Sequence, residues 1–383
     1  MAKIITLISS TAGVGKTHFG VNLAYRLTAL GHRTCLFNTD SDTASVYGLL
    51  GIHPQRSLVD LINNRHSVDH IIHRSPTGID FFPGTPGVEQ IPGLKSNEKD
   101  RFIRSILELN AYDYFVLDTF PGLSRNVIAF SKASSTVILV MTPEPSALTD
   151  AYLFLKVLSG NGFSGPVMVL INKCKNVKTA RSAYLKFKGA VETYLSLNIQ
   201  PLGSIFSDPN VEQAGEAKKP FLALYPETDA SKCVDNIVRH IVDKRIVDVA
   251  VSAFWSRFFK EIKHPFQLIV KRPKNSLEAE HKEARETRLN PLDSISEPSL
   301  RQSDETEVNM VPEVNSRLNQ LMAQIGTLSQ DMEEMKDLIQ NRDESITDPG
   351  FNATDNMEWD SMIRIPLDFD AYVKQRNEMK IVD

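Results

Sequence analysis

Cysteine is scarce in this chain: three in 383 residues, at Cys35, Cys174 and Cys233. They are far apart and form no CxxC pair, which excludes a disulfide framework and a cysteine zinc site and fits a reducing compartment. No cysteine cluster is evident that would hold an iron–sulfur centre. Long apolar runs are missing too: none reaches the roughly 20 residues that span a bilayer. The first residues enter a β-rich run directly, so no signal peptide is expected and the expected location is cytoplasmic. Charge of one sign is in the minority at each end. Residues 276–383 carry 11 Lys and Arg against 24 Asp and Glu, a net of −13, while residues 1–275 carry 32 against 23, a net of +9. The head is basic and the tail acidic, a pattern that suits an interaction arm as well as it suits a solvated surface.

What is present centres on one loop, Ser9-Ser10-Thr11-Ala12-Gly13-Val14-Gly15-Lys16-Thr17. Ile4 to Ile8 before it reads as a strand, and His18 to Leu27 after it has apolar residues at helical spacing. Strand, glycine loop and helix N-terminus together form a phosphate-binding setting, because glycines let backbone N–H groups curl around phosphate oxygens and the helix dipole favours the negative charge. The expected cradle is Ala12, Gly13, Val14, Gly15, Lys16, Thr17 and His18. Lys16 is expected to reach the β- and γ-phosphates, and the Thr17 hydroxyl to hold Mg²⁺.

Further strands follow at intervals. Thr34 to Asp40 reads as one ending in polar residues, and Ile79 to Gly84 as another. Tyr114 to Asp118, Val137 to Met141 and Val167 to Asn172 are continuous apolar runs of the kind that parallel sheets bury on both faces. Pro201 to Phe206 closes the series. Helices are expected over 58–72, 100–109, 148–159, 177–195 and 230–245. The alternation predicts an α/β fold, a doubly wound, mostly parallel sheet. Carboxyl ends of such strands carry the chemistry. Asp118 is expected to meet Mg²⁺, and Asp40 to orient an attacking water.

These residues resemble the MinD/ParA class of P-loop ATPases, and within it the FlhG/FleN (YlxH-type) branch of flagellar number regulators. The resemblance covers about residues 3–245. Asp118-Thr119-Phe120-Pro121-Gly122-Leu123-Ser124 is similar to the family switch. Thr142-Pro143-Glu144-Pro145, with Asp150-Ala151-Tyr152, is close to a run of that branch, as are Leu202 to Asp208, Lys219-Pro220-Phe221 and Tyr225-Pro226. The resemblance implies an ATP-dependent homodimer with nucleotide held between subunits, with Asn172 at the adenine and Asp208 in the adjoining base loop. It has gaps. Ser10 stands for the opening glycine of the phosphate loop, Thr11 for a signature lysine and Asn38 for an aspartate. Phe120-Pro121 replaces a Gly-Ala. Slow turnover follows from the missing lysine. The N-terminal extension that some relatives use on a partner GTPase is not expected here.

Domain organisation is read as 1–245 for the ATPase, 246–272 for an amphipathic segment, 273–312 for a disordered linker rich in Glu, Ser, Pro and Arg, 313–342 for a coiled coil, and 343–383 for an acidic tail with a docking peptide. In the second segment, Phe254, Trp255, Phe258 and Phe259 with nearby Lys and Arg suggest either a helix lying on an anionic membrane or a core helix. From Val314 to Ile339 apolar residues alternate at spacings of four and three, a heptad seam. Expected partners are a second copy, an anionic membrane and a protein that takes the tail; nucleic acid is not expected. A flagellar or polar positioning switch is the leading reading. A non-hydrolysing scaffold and a DNA-partitioning ATPase stay open beside it.

Overall fold

A computed structural model describes residues 1–40, 43–195, 197–244 and 246–266. The expected linker (273–312), coiled coil (313–342) and tail (343–383) lie outside the described residues. Eight strands form one sheet: β1 (Lys3–Ile8), β2 (Thr34–Asn38), β3 (His73–Arg74), β4 (Asp80–Pro83), β5 (Tyr114–Asp118), β6 (Thr136–Met141), β7 (Val167–Cys174) and β8 (Ile199–Phe206). Their order is β3-β4-β2-β5-β1-β6-β7-β8. All neighbours run parallel except the short β3 against β4. The described helices are α1 (Lys16–Ala29), α2 (Thr43–Leu50), α3 (Leu58–Ile62), α4 (Val68–Ile71), α5 (Ser96–Ser105), α6 (Arg125–Ala133), α7 (Pro145–Gly160), α8 (Val177–Tyr194), α9 (Asn210–Glu216), α10 (Phe221–Leu224), α11 (Asp229–Asp243) and α12 (Val251–Glu261).

The strands are apolar throughout because helices cover both faces and successive side chains alternate between them. Ile5, Leu7, Leu36 and Val116 join the core beneath α1 and α11, while Ile4, Phe37, Phe115 and Leu117 point the other way, into the core shared with α5, α6 and α12. A third core lies under α7 and α8 around Val137, Leu139, Val169 and Ile171. All three cysteines are buried and free. Burial pushes the Cys174 thiol up to about 12 and that of Cys233 up to about 11. Reactive thiolate is therefore scarce at neutral pH.

Three expectations are corrected. The helix expected over 58–72 is two short ones, because Asn64 takes a left-handed conformation (φ 56°) between α3 and α4 and ends the first. The helix expected over 100–109 starts earlier, at Ser96, where the Glu98 carboxylate accepts from the Lys95 backbone N–H at 2.7 Å; it ends at Ser105, followed by a 3₁₀ turn. The largest correction concerns 246–263. The apolar face of α12 is not offered to a membrane. Phe254, Trp255 and Phe258 are fully buried. Trp255 meets Phe102 edge-on with the ring centroids 4.9 Å apart, and Phe258 stacks on Phe130 at 4.5 Å. Val249 forms an antiparallel bridge with Ala2 that delivers the chain to this face, and the Val251 N–H donates to Asn110 Oδ1 at 2.9 Å. A sheet face bearing Phe37, Phe82 and Phe115 must be covered, and α12 covers it. No described helix is long and apolar enough to cross a membrane.

Candidate functional site

The site sits at the carboxyl end of β1, in the middle of the sheet. Lys3 to Ile8 carry Ile and Thr, favoured on a pleated and buried surface. The chain then turns through Ser9–Gly15 into α1. Gly15 is the N-cap, with φ 87°. A Cβ there would stand 2.2 Å from Asn172 Nδ2, so both the conformation and the close approach require glycine. Asn172, at the end of β7, donates through that Nδ2 to the Val14 carbonyl at 2.8 Å. A residue expected at the adenine thus fixes the loop from behind.

Lys16 is buried, and its ammonium donates to Asp118 Oδ1 at 2.5 Å and to the Thr119 carbonyl. Thr17 Oγ1 donates to the second oxygen, Oδ2, at 2.8 Å. Both residues of the helix N-terminus therefore converge on one carboxylate, delivered by the neighbouring strand β5. The cause is the register: β1 and β5 run side by side with Leu7 opposite Asp118. Thr119 is held in turn by its hydroxyl, which donates to the Leu7 carbonyl at 2.7 Å, and Gly122 N–H donates to the Ser9 carbonyl at 2.8 Å. The loop after β5 is thereby tied to the loop after β1. Phe120 between these ties is exposed.

Asp40 lies at the same edge, two residues past β2, and is buried. Its backbone N–H donates to Asn38 Oδ1 at 3.0 Å, and its carbonyl accepts from Thr85 Oγ1 at 2.9 Å. Asn38 thus shapes the turn that presents Asp40. Thr39 N–H donates to the Asp118 carbonyl at 2.9 Å, which links the two acidic strand ends through the backbone. His18 is half-buried. Burial first, then the positive charge of Lys173, lowers its pKa from 6.5, against the opposing pull of Glu212 and Asp118. Lys173 follows Asn172 in a left-handed conformation (φ 56°), an exposed cation on the rim. Asp208 lies past the end of β8, its Oδ1 accepting from Asn210 N–H at 2.9 Å and Asn210 Nδ2 at 2.8 Å. Thr11 is half-buried and brings no cation to the loop.

Of the expected residues, Lys16, Thr17 and Asp118 are in direct contact and Asn172 is bonded to the loop; Asp40, His18 and Asp208 stand on the same edge. Sequence reasoning did not single out Thr85 or Lys173, and it gave Thr119 no role of its own. Thr119 was findable, since it lies between Asp118 and the rest of the switch motif. Thr85 and Lys173 carry no sequence signal. A buried ammonium, a hydroxyl and a carboxylate beside a loop that accepts no Cβ at Gly15 are a donor set suited to phosphate and a hard divalent cation.

Strand, glycine loop and helix with this Lys–Thr–Asp cluster define a P-loop NTPase site on a doubly wound sheet. Residues 1–242 match the ParA family profile described as NUBPL iron-transfer P-loop NTPase. The chain belongs to the ParA family of P-loop NTPases. It is 29% identical over 230 residues to the antiactivator FleN of Pseudomonas aeruginosa, covering 60% of this chain and 82% of FleN. It is 28% identical over 266 residues to the flagellum site-determining protein YlxH of Helicobacter pylori, covering 67% and 90%. Among solved structures, the MinC:MinD cell division protein complex of Aquifex aeolicus superposes with a TM-score of 0.52 at 20% identity, over 65% of this chain and 99% of that one.

Proposed function

We propose that the protein is a slowly hydrolysing, ATP-binding switch that positions or counts a polar or membrane-associated structure such as the flagellum. The observation that carries the nucleotide half is the convergence of Lys16 and Thr17 on Asp118 at the mouth of a glycine loop. The FleN and YlxH likenesses support the regulatory half.

In this reading the N–H groups of Ala12 to His18 bind phosphate oxygens, and the Lys16 ammonium exchanges the Asp118 carboxylate for phosphate charge. Thr17 and Asp118 would hold Mg²⁺, which when bound would screen charge on the phosphates. Asp40 orients a water and takes up its proton. Asn172 and the Asp208 loop bind adenine. The ties from Thr119 to Leu7 and from Gly122 to Ser9 make the 118–124 loop responsive to what the phosphate loop holds. Turnover is slow because Thr11 contributes no cation, and Pro121 stiffens the switch. The acting form is a cytoplasmic homodimer, joined across the ATPase face and through the 313–342 coiled coil.

Binding of a fluorescent ATP analogue to the full chain tests this. Lys16→Met keeps side-chain length and removes the charge. Affinity should fall at least about tenfold, which corresponds to roughly 1.4 kcal/mol. Unchanged affinity in a folded variant would remove the phosphate loop from the mechanism.

A further inference from the structure

α6, the end of α7 and the end of α12 enclose a groove of about 560 Å³. Its floor includes Ile128 and its rim Phe266. Lys132 in this groove is committed: it pairs with Glu261 and donates to the Asn161 carbonyl at 3.1 Å. The pair ties α6 to α12 and cancels within the wall. Arg125 and Lys260 are different. Both line the groove, both are exposed, and neither enters an ion pair among the described residues. The groove is therefore an apolar floor flanked by two uncommitted cations.

We infer that this groove docks the acidic segment 355–370 of the chain itself. Three observations meet there. The described body ends at Phe266, a residue of the groove's own rim, so the remaining chain departs from this place. Segment 355–370 carries the opposite charge: Asp355, Glu358, Asp360, Asp368 and Asp370 against Arg364 alone. It also carries Trp359, Ile363, Leu367 and Phe369, large apolar groups of the kind that anchor a peptide in a small pocket. Reach is sufficient, because about 46 residues precede the proposed coiled coil and about 12 follow it, enough at about 3.3 Å per residue to turn back along a helix of about 45 Å. Tethering at that length gives an effective concentration near the millimolar range, so modest affinity is enough. The acidic flanks set the direction and the aromatic groups supply the apolar burial.

The position has a consequence. Arg125 directly follows Ser124, whose hydroxyl accepts from Val127 N–H at 3.2 Å and caps α6. Ser124 also ends the 118–124 loop. A segment held at Arg125 thus bears on the loop that contacts Lys16, a coupling that rests on the proposed nucleotide switch, whereas the docking itself does not.

The chain's two tryptophans make the test direct: Trp255 is fully buried, and the other is Trp359. Acrylamide, a neutral quencher, is titrated into the full chain and into Trp359→Phe; the difference gives the accessibility of Trp359. Docking predicts that Trp359 is at least about threefold less quenchable than free tryptophanamide, since tethering keeps the groove mostly filled. Arg125→Glu with Lys260→Glu should abolish the protection, as should Asp355→Asn with Glu358→Gln and Asp360→Asn, which leave the folded body untouched. A fully accessible Trp359 would overturn the proposal. Protection that survives both sets of changes would place the segment elsewhere and overturn it as well, and so would protection lost on dilution, which would assign the groove to a second copy. If Trp359 is accessible and charge reversal instead removes binding to phosphatidylserine vesicles, the groove is a lipid surface and the proposal fails.

Discussion

Two buried regions lie back to back in this protein and are built on opposite terms. At the carboxyl end of β1 and β5, Lys16, Asp118, Thr119 and Asp40 are polar and almost fully removed from water. Each of the first three is satisfied by a named partner at short range. Behind them, Phe37, Phe102, Phe130, Trp255 and Phe258 fill the space between the sheet and α12 with rings at edge-on and stacked geometries. The first region is held by charge-assisted hydrogen bonds, whose partners can be exchanged. The second is held by apolar burial and packing, which tolerate little change. One region is built of exchangeable polar contacts, the other of close apolar packing.

The largest expected effect comes from breaking the aromatic region. Phe258→Ala should cost about 3–5 kcal/mol, lowering the melting temperature by roughly 6–20 °C for a domain of this size. Phe254→Glu with Phe258→Glu should prevent cooperative folding, because two carboxylates would enter an apolar core. Were that double variant to fold normally by near-UV circular dichroism, with only surface properties altered, α12 would not be a core helix in solution.

Next is Asp118→Ala, which leaves the Lys16 ammonium buried without its carboxylate. Removing one partner of a buried pair costs about 3–5 kcal/mol unless water enters. Thermal denaturation should record a loss of that order, while Asp118→Asn, which can still accept a hydrogen bond, should lose less. Equal losses would mean that the charge of the pair is irrelevant to stability.

Gly15→Ala sharpens the comparison at a single atom. A left-handed conformation costs a non-glycine residue about 1–2 kcal/mol, and the added methyl meets Asn172 Nδ2. ATP-analogue binding should weaken with stability only modestly reduced. A variant that binds normally would show that Asn172 can withdraw from Val14 without consequence.

The smallest effect is a pH dependence at His18. Its pKa is lowered from 6.5 in the folded state, so below that value the unfolded chain binds more protons than the folded one. Stability should therefore fall as pH drops from about 6.5 through the folded value, and be unaffected by this residue above it. His18→Asn should flatten that acid-side slope in urea denaturation. An unchanged slope would assign it to other groups.

Much of the active edge was legible in advance because its signals are local. Glycines, a lysine and a threonine at fixed spacing after a strand dictate a loop conformation whatever surrounds it, and an apolar strand ending in Asp118 announces a buried carboxylate. The direct bonds among Lys16, Thr17 and Asp118 were not legible as distances, nor was the strand order that sets β1 beside β5, which the alternation leaves open. Helix boundaries were less legible. Asn64 ended α3 through a conformation that side-chain periodicity does not report, and Lys173 took its left-handed turn where the pairing of β7 with β8 shifts register.

The α12 face marks where sequence stops deciding. Phe254, Trp255, Phe258 and Phe259 recur on one side of a basic helix, and that pattern alone suits a lipid interface and a protein core equally, since both reward the removal of apolar area from water. Sequence determined that the face would be buried. Only the tertiary structure decided against what, because Phe37, Phe82, Phe102, Phe115 and Phe130 come from three separate strands and two distant helices, and no local pattern records that their rings converge on one face of the sheet.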